Sequence, residues 1–167
     1  KKIIFALINQ PNFKILLDRF QNKRKRSAIK DYLLKEFPNS KFKGQVHSVE
    51  HHTAHMSSAF HVSPFDDAVV LSIDGFGDFA SAAWGVGLDT KINLDDRVYF
   101  PHSLGIFYQA LTQYLGFNNY GDEYKIMGLA PYGKPIYIEQ MRQIVRLKKD
   151  GKYELNLDYF RHHSEKI

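Results

Sequence analysis

The chain has no cysteine among its 167 residues, which excludes disulfide bonds and thiolate metal sites. Any transition metal must therefore be bound by nitrogen and oxygen atoms. No segment reaches the roughly 20 apolar residues of a membrane span, and no signal-peptide pattern opens the sequence. These absences predict a cytoplasmic protein with no membrane partner. A hydrophobic content of 44% is enough for one globular domain with a core.

Acidic residues are scarce before residue 47, and the net charge of +5 comes largely from this part of the chain. The basic cluster Lys23–Arg26 is of the kind that contacts nucleic acid or anionic substrates. Aromatic residues are not interleaved with it as they are in single-strand binders. We therefore interpret residues 1–45 as a basic helical segment with a solvent-exposed face, and nucleic acid is not an expected partner.

Apolar periodicity and turn residues predict hairpins and helices on a central sheet, which indicates an α/β or α+β fold. Two short helices are expected before Phe20, interrupted at Pro11, and Ser27 is expected to cap the next helix. Further helices are predicted over Ala28–Phe37, His52–His61, Leu104–Leu115, Glu123–Leu129 and Ile136–Leu147, and strands over Lys43–Val49, Ala68–Ile73, Ala80–Gly87, Asn93–Phe100 and Tyr153–Leu157. The turns between the central strands predict antiparallel hairpins.

A pair of histidines is the strongest candidate for a metal site. His51 and His55 are four positions apart, so one helical face presents both imidazoles to one cation. Asp74 follows the apolar run of the first central strand and is expected to end that strand, with its carboxylate directed beyond the sheet. Imidazole and carboxylate suit iron, zinc or manganese, and the spacing does not choose among them. Glu50 is a candidate to orient one of the imidazoles.

The segment Asp74–Asp78 carries two glycines, which favour a tight turn with backbone N–H groups accessible to phosphate. The alternative is an ordinary hairpin turn, in which aspartate and glycine are common. Asp78 has three alternative roles: it ligates a metal, binds hydroxyl groups or caps the turn. Lys125, at the start of a later helix, would be useful near phosphate, although nothing local requires it.

Four motifs of this sequence together resemble the N-terminal domain of the O-carbamoyltransferase family, which includes nodulation-factor and antibiotic carbamoyltransferases. They occur in order over residues 46–135 and read HHTAHMSSAF, VVLSIDGFGD, FPHSLGIFYQALTQYLGF and GDEYKIMGLAPYG. The resemblance implies a partial lobe of the actin, Hsp70 and sugar-kinase superfold, with a mixed sheet, hairpins and flanking helices. It also implies that residues 1–167 are a fragment of this domain, which we expect to be inactive alone.

The resemblance further implies a reaction. A second, YrdC-like domain of the same protein makes carbamoyl-adenylate from carbamoyl phosphate and ATP, and the carbamoyl group then passes to a hydroxyl of a small molecule or saccharide. The family's metal pair maps onto His51 and His55 and its aspartate onto Asp74, with iron expected. Gly75, Phe76 and Gly77 match the phosphate-binding turn.

Two questions stay open at this level. His52 is the nearest candidate base on this chain for the acceptor hydroxyl, although a core role for it is slightly favoured. The alternative functions are a tRNA threonylcarbamoyl or hydrogenase-maturation carbamoyl-transfer protein of the same superfold, and a non-catalytic nucleotide- or RNA-binding module that uses the basic segment.

Overall fold

The structure is a computed structural model that describes residues 29–39 and 43–165. The chain divides into two compact units, one comprising Glu50–Arg161 and the other containing the residues before and after that range. Helix α1, Ile29–Glu36, belongs to the second of these units and confirms the helix expected there. The helices expected before Phe20, the cap at Ser27 and the basic cluster lie outside the described residues.

The strand predicted over Lys43–Val49 is wrong. The structure shows no strand in this segment, and its residues are exposed throughout. Weak alternation of apolar residues was the only signal for it. A strand exists only with a hydrogen-bonded neighbour, which a local pattern does not supply.

The larger unit begins with a helix and a three-stranded sheet. Helix α2, His51–Phe60, precedes three consecutive strands: β1 (Asp67–Gly77), β2 (Ala80–Leu88) and β3 (Lys91–Tyr99). The strands pair antiparallel in the order β1-β2-β3. This arrangement confirms the predicted hairpins and the helix before them.

The core of this unit lies between α2 and one face of the sheet. Met56 and Phe60 of α2 are buried against Val70 of β1 and Ala83 of β2. On β1, buried and exposed positions alternate, as expected for a strand covered on one side. The packing fixes both the rotation of α2 about its axis and its position along β1. It therefore determines where the first turn of the helix meets the end of the strand.

The remaining elements follow the sheet. Helix α3 runs over Leu104–Tyr114, α4 over Glu123–Leu129 and α5 over Ile138–Ile144; short strands β4 and β5 cover Val145–Leu147 and Tyr153–Leu155, and single 3₁₀ turns cover Ala130–Tyr132 and Leu157–Tyr159. Ser103 caps α3, and the helix ends with the bonds from Gly116 N–H to Gln113 O and from Phe117 N–H to Thr112 O, as predicted for a glycine-terminated helix.

Two details of this second half differ from the sequence prediction. The helix expected to continue to Leu147 ends at Ile144, because Val145–Leu147 pairs with β5. The helix expected over Leu104–Leu115 ends at Tyr114, and Leu115 is its largely exposed C-cap. At the end of α5 the β-branched residue Val145 begins strand β4, which pairs with β5 eight residues further along the chain.

The fold is a mixture of helices with two small antiparallel sheets. The mixed sheet that was expected is not present in the described part of the chain, where every strand pair is antiparallel. Membership of the actin, Hsp70 and sugar-kinase superfold stays a prediction. Among the helices of residues 29–39 and 43–165, none combines the length and the apolar character needed to cross a membrane.

Candidate metal centre

The first turn of α2 is held in place by two carboxylates. Glu50 is the N-cap residue, and its Oε2 accepts hydrogen bonds from the Thr53 backbone N–H at 2.9 Å and from the Thr53 hydroxyl at 2.8 Å. Asp78 Oδ2 accepts a hydrogen bond from the His51 backbone N–H at 3.0 Å. Negative groups are stabilising at a helix N-terminus, where N–H groups lack partners within the helix.

These contacts show what Glu50 and Asp78 do in the structure. Glu50 caps the helix instead of orienting an imidazole, so the earlier suggestion for it is wrong. Burial would raise the pKa of Glu50, but hydrogen bonds from Thr53 and from the His52 backbone N–H, together with the nearby Arg97 cation, hold the pKa below its usual value. Asp78 links the β1–β2 turn to the start of α2, so that the helix and the strand end are fixed to each other.

Asp74 lies where β1 departs from regular pairing. The register runs from Ile73 opposite Ala82 directly to Gly77 opposite Ala80. Three residues of β1, 74 to 76, therefore face a single residue of β2. Such an irregularity bends the strand and redirects its side chains, and bulges often lie beside functional sites. The expectation that Asp74 ends the strand is wrong, since β1 continues to Gly77 and the turn follows at Asp78 and Phe79, both with positive φ.

The structure brings His51, His55 and Asp74 together. His51 Nε2 lies 2.6 Å from Asp74 Oδ2 and 3.1 Å from His55 Nε2, and His55 Nε2 lies 3.7 Å from Asp74 Oδ2. One donor atom from each residue falls within 4.8 Å of the other two. Ligands bound at about 2.0–2.2 Å to a common ion are separated by roughly 3 to 4 Å. The two separations from His55 Nε2 fall in this range, whereas His51 Nε2 and Asp74 Oδ2 are at hydrogen-bond distance and would have to move slightly apart around a shared cation.

Electrostatics and exposure also suit a cation. The hydrogen bond to His51 is the main reason that the pKa of Asp74 is lowered, with a further contribution from the Gly75 N–H, which lies 2.6 Å from Asp74 Oδ1. The carboxylate is therefore ionised and ready to bind a positive ion. The side chains of His51, His55 and Asp74 are 35%, 55% and 41% exposed, so the site is open to solvent and to further ligands.

The predicted anion-binding turn is replaced by a strand end. Gly75 donates its N–H to the Asp74 carboxylate, and Phe76 packs its ring 5.1 Å from that of Phe100. Gly77 lies directly beneath the imidazole of His51, where a Cβ atom would overlap the ring. Of these two glycines it is Gly75 that has open space around its Cβ position, with no atom within 4 Å. Phosphate binding by these residues stays a prediction. The structure places them at the end of β1 and not in a tight turn.

His52 is fully buried, and its Nδ1 lies 2.8 Å from Ser72 Oγ. Its other ring nitrogen, Nε2, is buried without a hydrogen-bond partner in the described part of the chain. A general base must reach the proton that it removes. With no exposed surface, His52 fits the core role and cannot reach a substrate hydroxyl from this position.

Lys125, the other predicted phosphate ligand, lies in the first turn of α4 and forms an ion pair with Asp122. Nζ lies 2.7 Å from Asp122 Oδ1, and this bond raises the pKa of the lysine. Asp122 also accepts the Asn119 backbone N–H at 3.1 Å, which ties the loop to the helix. Lys125 is therefore held by a local partner, and its role toward phosphate stays a prediction.

Comparison with known proteins gives a matching family and several similar relatives. The family described as carbamoyltransferase N-terminus matches residues 8–166. The nodulation protein NolNO of Sinorhizobium fredii is 36% identical over 91% of this chain and 22% of its own length, and the nodulation protein NolO of Bradyrhizobium diazoefficiens is 45% identical over 66% of this chain and 20% of its own. The uncharacterised protein sll1178 of Synechocystis is 46% identical over 66% of this chain and 18% of its own. The chain spans about a fifth of the length of these relatives.

Proposed function

Because the chain belongs to the carbamoyltransferase family and matches its N-terminal region, we propose that it forms part of an enzyme that transfers a carbamoyl group to a substrate hydroxyl. The donor in this proposal is carbamoyl-adenylate, made from carbamoyl phosphate and ATP by a YrdC-like domain of the same protein. The acceptor is a small molecule or a saccharide. The observation that carries the proposal is the His51, His55 and Asp74 cluster, which lies inside the matched region.

In this proposal the three clustered side chains hold a divalent cation, with iron expected. The donor set fits the ion, because two imidazole nitrogens and one ionised carboxylate oxygen converge on one point at the surface. Further ligands would have to come from substrate, water or other parts of the protein, since three ligands do not complete a metal site. When bound, such a cation supplies Lewis-acid stabilisation of the negative charge that develops in acyl transfer.

The residues of this chain contribute positioning and charge. Asp78 and Glu50 fix the helix turn that carries His51, and the irregular end of β1 directs Asp74 toward it. The position that a Gly75 Cβ would occupy is open, with no atom within 4 Å, which leaves room beside the strand for a bulky donor group. Holding a donor in a fixed orientation is itself a large part of catalysis in transfer reactions. The base that accepts the hydroxyl proton is unassigned.

The test uses the intact protein, radiolabelled carbamoyl phosphate, ATP and a panel of saccharide and aminoglycoside acceptors. His51→Ala and Asp74→Asn should each remove bound metal and lower carbamoyl transfer by about 100-fold or more, since outer residues of metal sites alone cost 10- to 100-fold. His61→Ala is the matched control. It removes an imidazole from the opposite end of α2, where the ring contacts Ser57 and the Thr90 carbonyl.

The control variant should retain metal content and transfer rate within about twofold of wild type, a difference of less than 0.5 kcal/mol. Transfer with no dependence on the cluster residues would contradict the metal-assisted part of the proposal. Metal binding at the cluster without transfer to any hydroxyl would contradict the carbamoyltransferase part. The two parts of the proposal are thus tested separately.

A further inference from the structure

Ser103, the N-cap of α3, contacts the backbone of the strand segment that carries Asp74. Its side chain is completely buried, and its Oγ lies 2.7 Å from Gly75 O and 3.1 Å from Asp74 O. The same oxygen accepts the Ile106 backbone N–H at 3.1 Å. A serine hydroxyl has one proton to donate and two lone pairs to accept with. A lone pair of Ser103 Oγ therefore accepts from the helix end, while its single proton is shared between the two strand carbonyls, with Gly75 O the nearer.

These carbonyls lie in the irregular stretch of β1, outside its one-to-one pairing with β2. The ladder with β2 is regular up to Ile73 and resumes only at Gly77. A buried backbone carbonyl without a partner is costly, so a donor from outside the ladder is stabilising there. The hydroxyl of Ser103 is such a donor, and it acts at the residue whose side chain reaches His51.

Helix α3 also approaches the backbone of Asp74 and Gly75 closely at Gly105, in its first turn. A Cβ atom on Gly105 would lie 2.7 Å from Gly75 N, 2.8 Å from Gly75 Cα and 2.9 Å from the Asp74 carbonyl carbon. Real Cβ atoms essentially never approach other heavy atoms within 3.0 Å. The helix start therefore rests directly on the backbone of Asp74 and Gly75.

We propose that Ser103 is a positioning residue for the metal site: through its contacts with the carbonyls of Asp74 and Gly75, it holds the Asp74 carboxylate beside His51 and His55, where a shared cation would bind. This inference rests on the proposed metal site. Metal sites depend on residues that orient the ligands, and loss of one such residue typically weakens metal binding by about 10- to 100-fold. Ser103 acts through the main chain of the ligand instead of its side chain.

The test is a titration of the metal-free intact protein with Co²⁺ and with Zn²⁺, which reports the Kd, combined with the visible absorption spectrum of bound Co²⁺, which reports the ligand geometry. Ser103→Ala should weaken the Co²⁺ Kd by about tenfold and alter the spectrum. Ser103→Gly lacks the hydroxyl but is tolerated at an N-cap at little cost, so it separates the positioning role from helix capping. It should weaken binding to a similar extent.

Thr112→Val is the matched control. Thr112 is buried in the same helix, and its hydroxyl donates to the Tyr108 carbonyl within that helix, at 2.8 Å. Removing it should leave the Co²⁺ Kd within about twofold of wild type and the spectrum unchanged. If Thr112→Val weakens binding as much as Ser103→Ala, the effect is a general one on α3 and the inference is overturned.

His51→Ala, measured in parallel, separates this inference from the function on which it rests. Loss of Co²⁺ binding in His51→Ala with wild-type binding in both Ser103 variants would overturn the positioning role and leave the metal site intact. Wild-type binding in His51→Ala would show that the ion binds elsewhere, which overturns the metal site itself. Loss in His51→Ala and about tenfold weakening in both Ser103 variants is the expected result.

Discussion

The contact between Gly77 and His51 gives the sharpest prediction from this structure. The imidazole lies directly over the glycine, so a Cβ atom added at residue 77 would come well within 3.0 Å of Cγ, Cδ2 and Nε2 of the ring. Ordinary contacts of this type begin at 3.4 Å. Gly77→Ala therefore forces the ring to retreat by about an ångström or more, because Cβ is attached to the backbone of a paired strand.

A displacement of this size is large for a metal ligand, since functional metal–ligand distances hold to within about 0.2 Å. The ring would leave the position in which His51 Nε2 is 2.6 Å from Asp74 Oδ2 and 3.1 Å from His55 Nε2. We expect Gly77→Ala to weaken Zn²⁺ or Co²⁺ binding to the intact protein by at least about 100-fold, or about 2.7 kcal/mol. The overlap itself should also destabilise the fold by about 1–3 kcal/mol.

Gly75→Ala is the matched control for this prediction. It places the same methyl group two residues earlier in the same strand, where a Cβ would meet nothing within 4 Å, and it keeps the N–H that donates to Asp74. Isothermal titration calorimetry should give this variant a metal Kd close to that of wild type. Equal affinities for Gly77→Ala and wild type, or equal losses in both variants, would refute the reasoning.

Three further predictions concern stability. Glu50→Ala removes the N-cap of α2 and should cost about 1 kcal/mol, seen as faster amide exchange at Thr53; unchanged exchange would argue against the cap. Phe60→Ala empties part of the core and should lower the free energy of unfolding in urea by about 3–5 kcal/mol, and a loss below about 1 kcal/mol would contradict the core assignment. The pKa of Asp74 is lowered, chiefly by its bond to His51, so its stabilisation is complete above the ordinary pKa of about 3.9 and is lost as pH falls through the lower folded value. Urea midpoints measured from pH 6 down to pH 2 should fall less in Asp74→Asn than in wild type.

Local patterns were sufficient for most of the elements around the candidate site. Helix α2, the three strands of the sheet and helix α3 each lie within a few residues of the predicted bounds. Their signals are strong because a buried face repeats with the period of the element and a capping residue marks its start, as Ser103 does for α3. The four-residue spacing of His51 and His55 likewise sets both on one helix face wherever the helix packs.

Pairing between distant segments could not be predicted in this way. The chain at Lys43–Val49 has a weak strand pattern and no strand, whereas Val145–Leu147 continues a helical pattern and becomes a strand because β5 pairs with it. His52 and His51 are adjacent in sequence and differ in environment, since the first side chain is fully buried and the second is 35% exposed. Burial of this kind is decided by the partner surface and not by the residue.

The sequence by itself determined that two imidazoles share a helix face, that a carboxylate follows the apolar run of the first central strand, and which family the motifs resemble. Only the tertiary structure decided that Asp74 lies within an irregular stretch of β1, that Gly77 supports the His51 ring, and that Ser103 on a helix almost thirty residues away bonds to the Asp74 carbonyl. The physical reason is the range of the forces involved. Periodicity and capping act over one or two turns of chain, while the ångström-scale distances between ligands depend on how separate elements pack together.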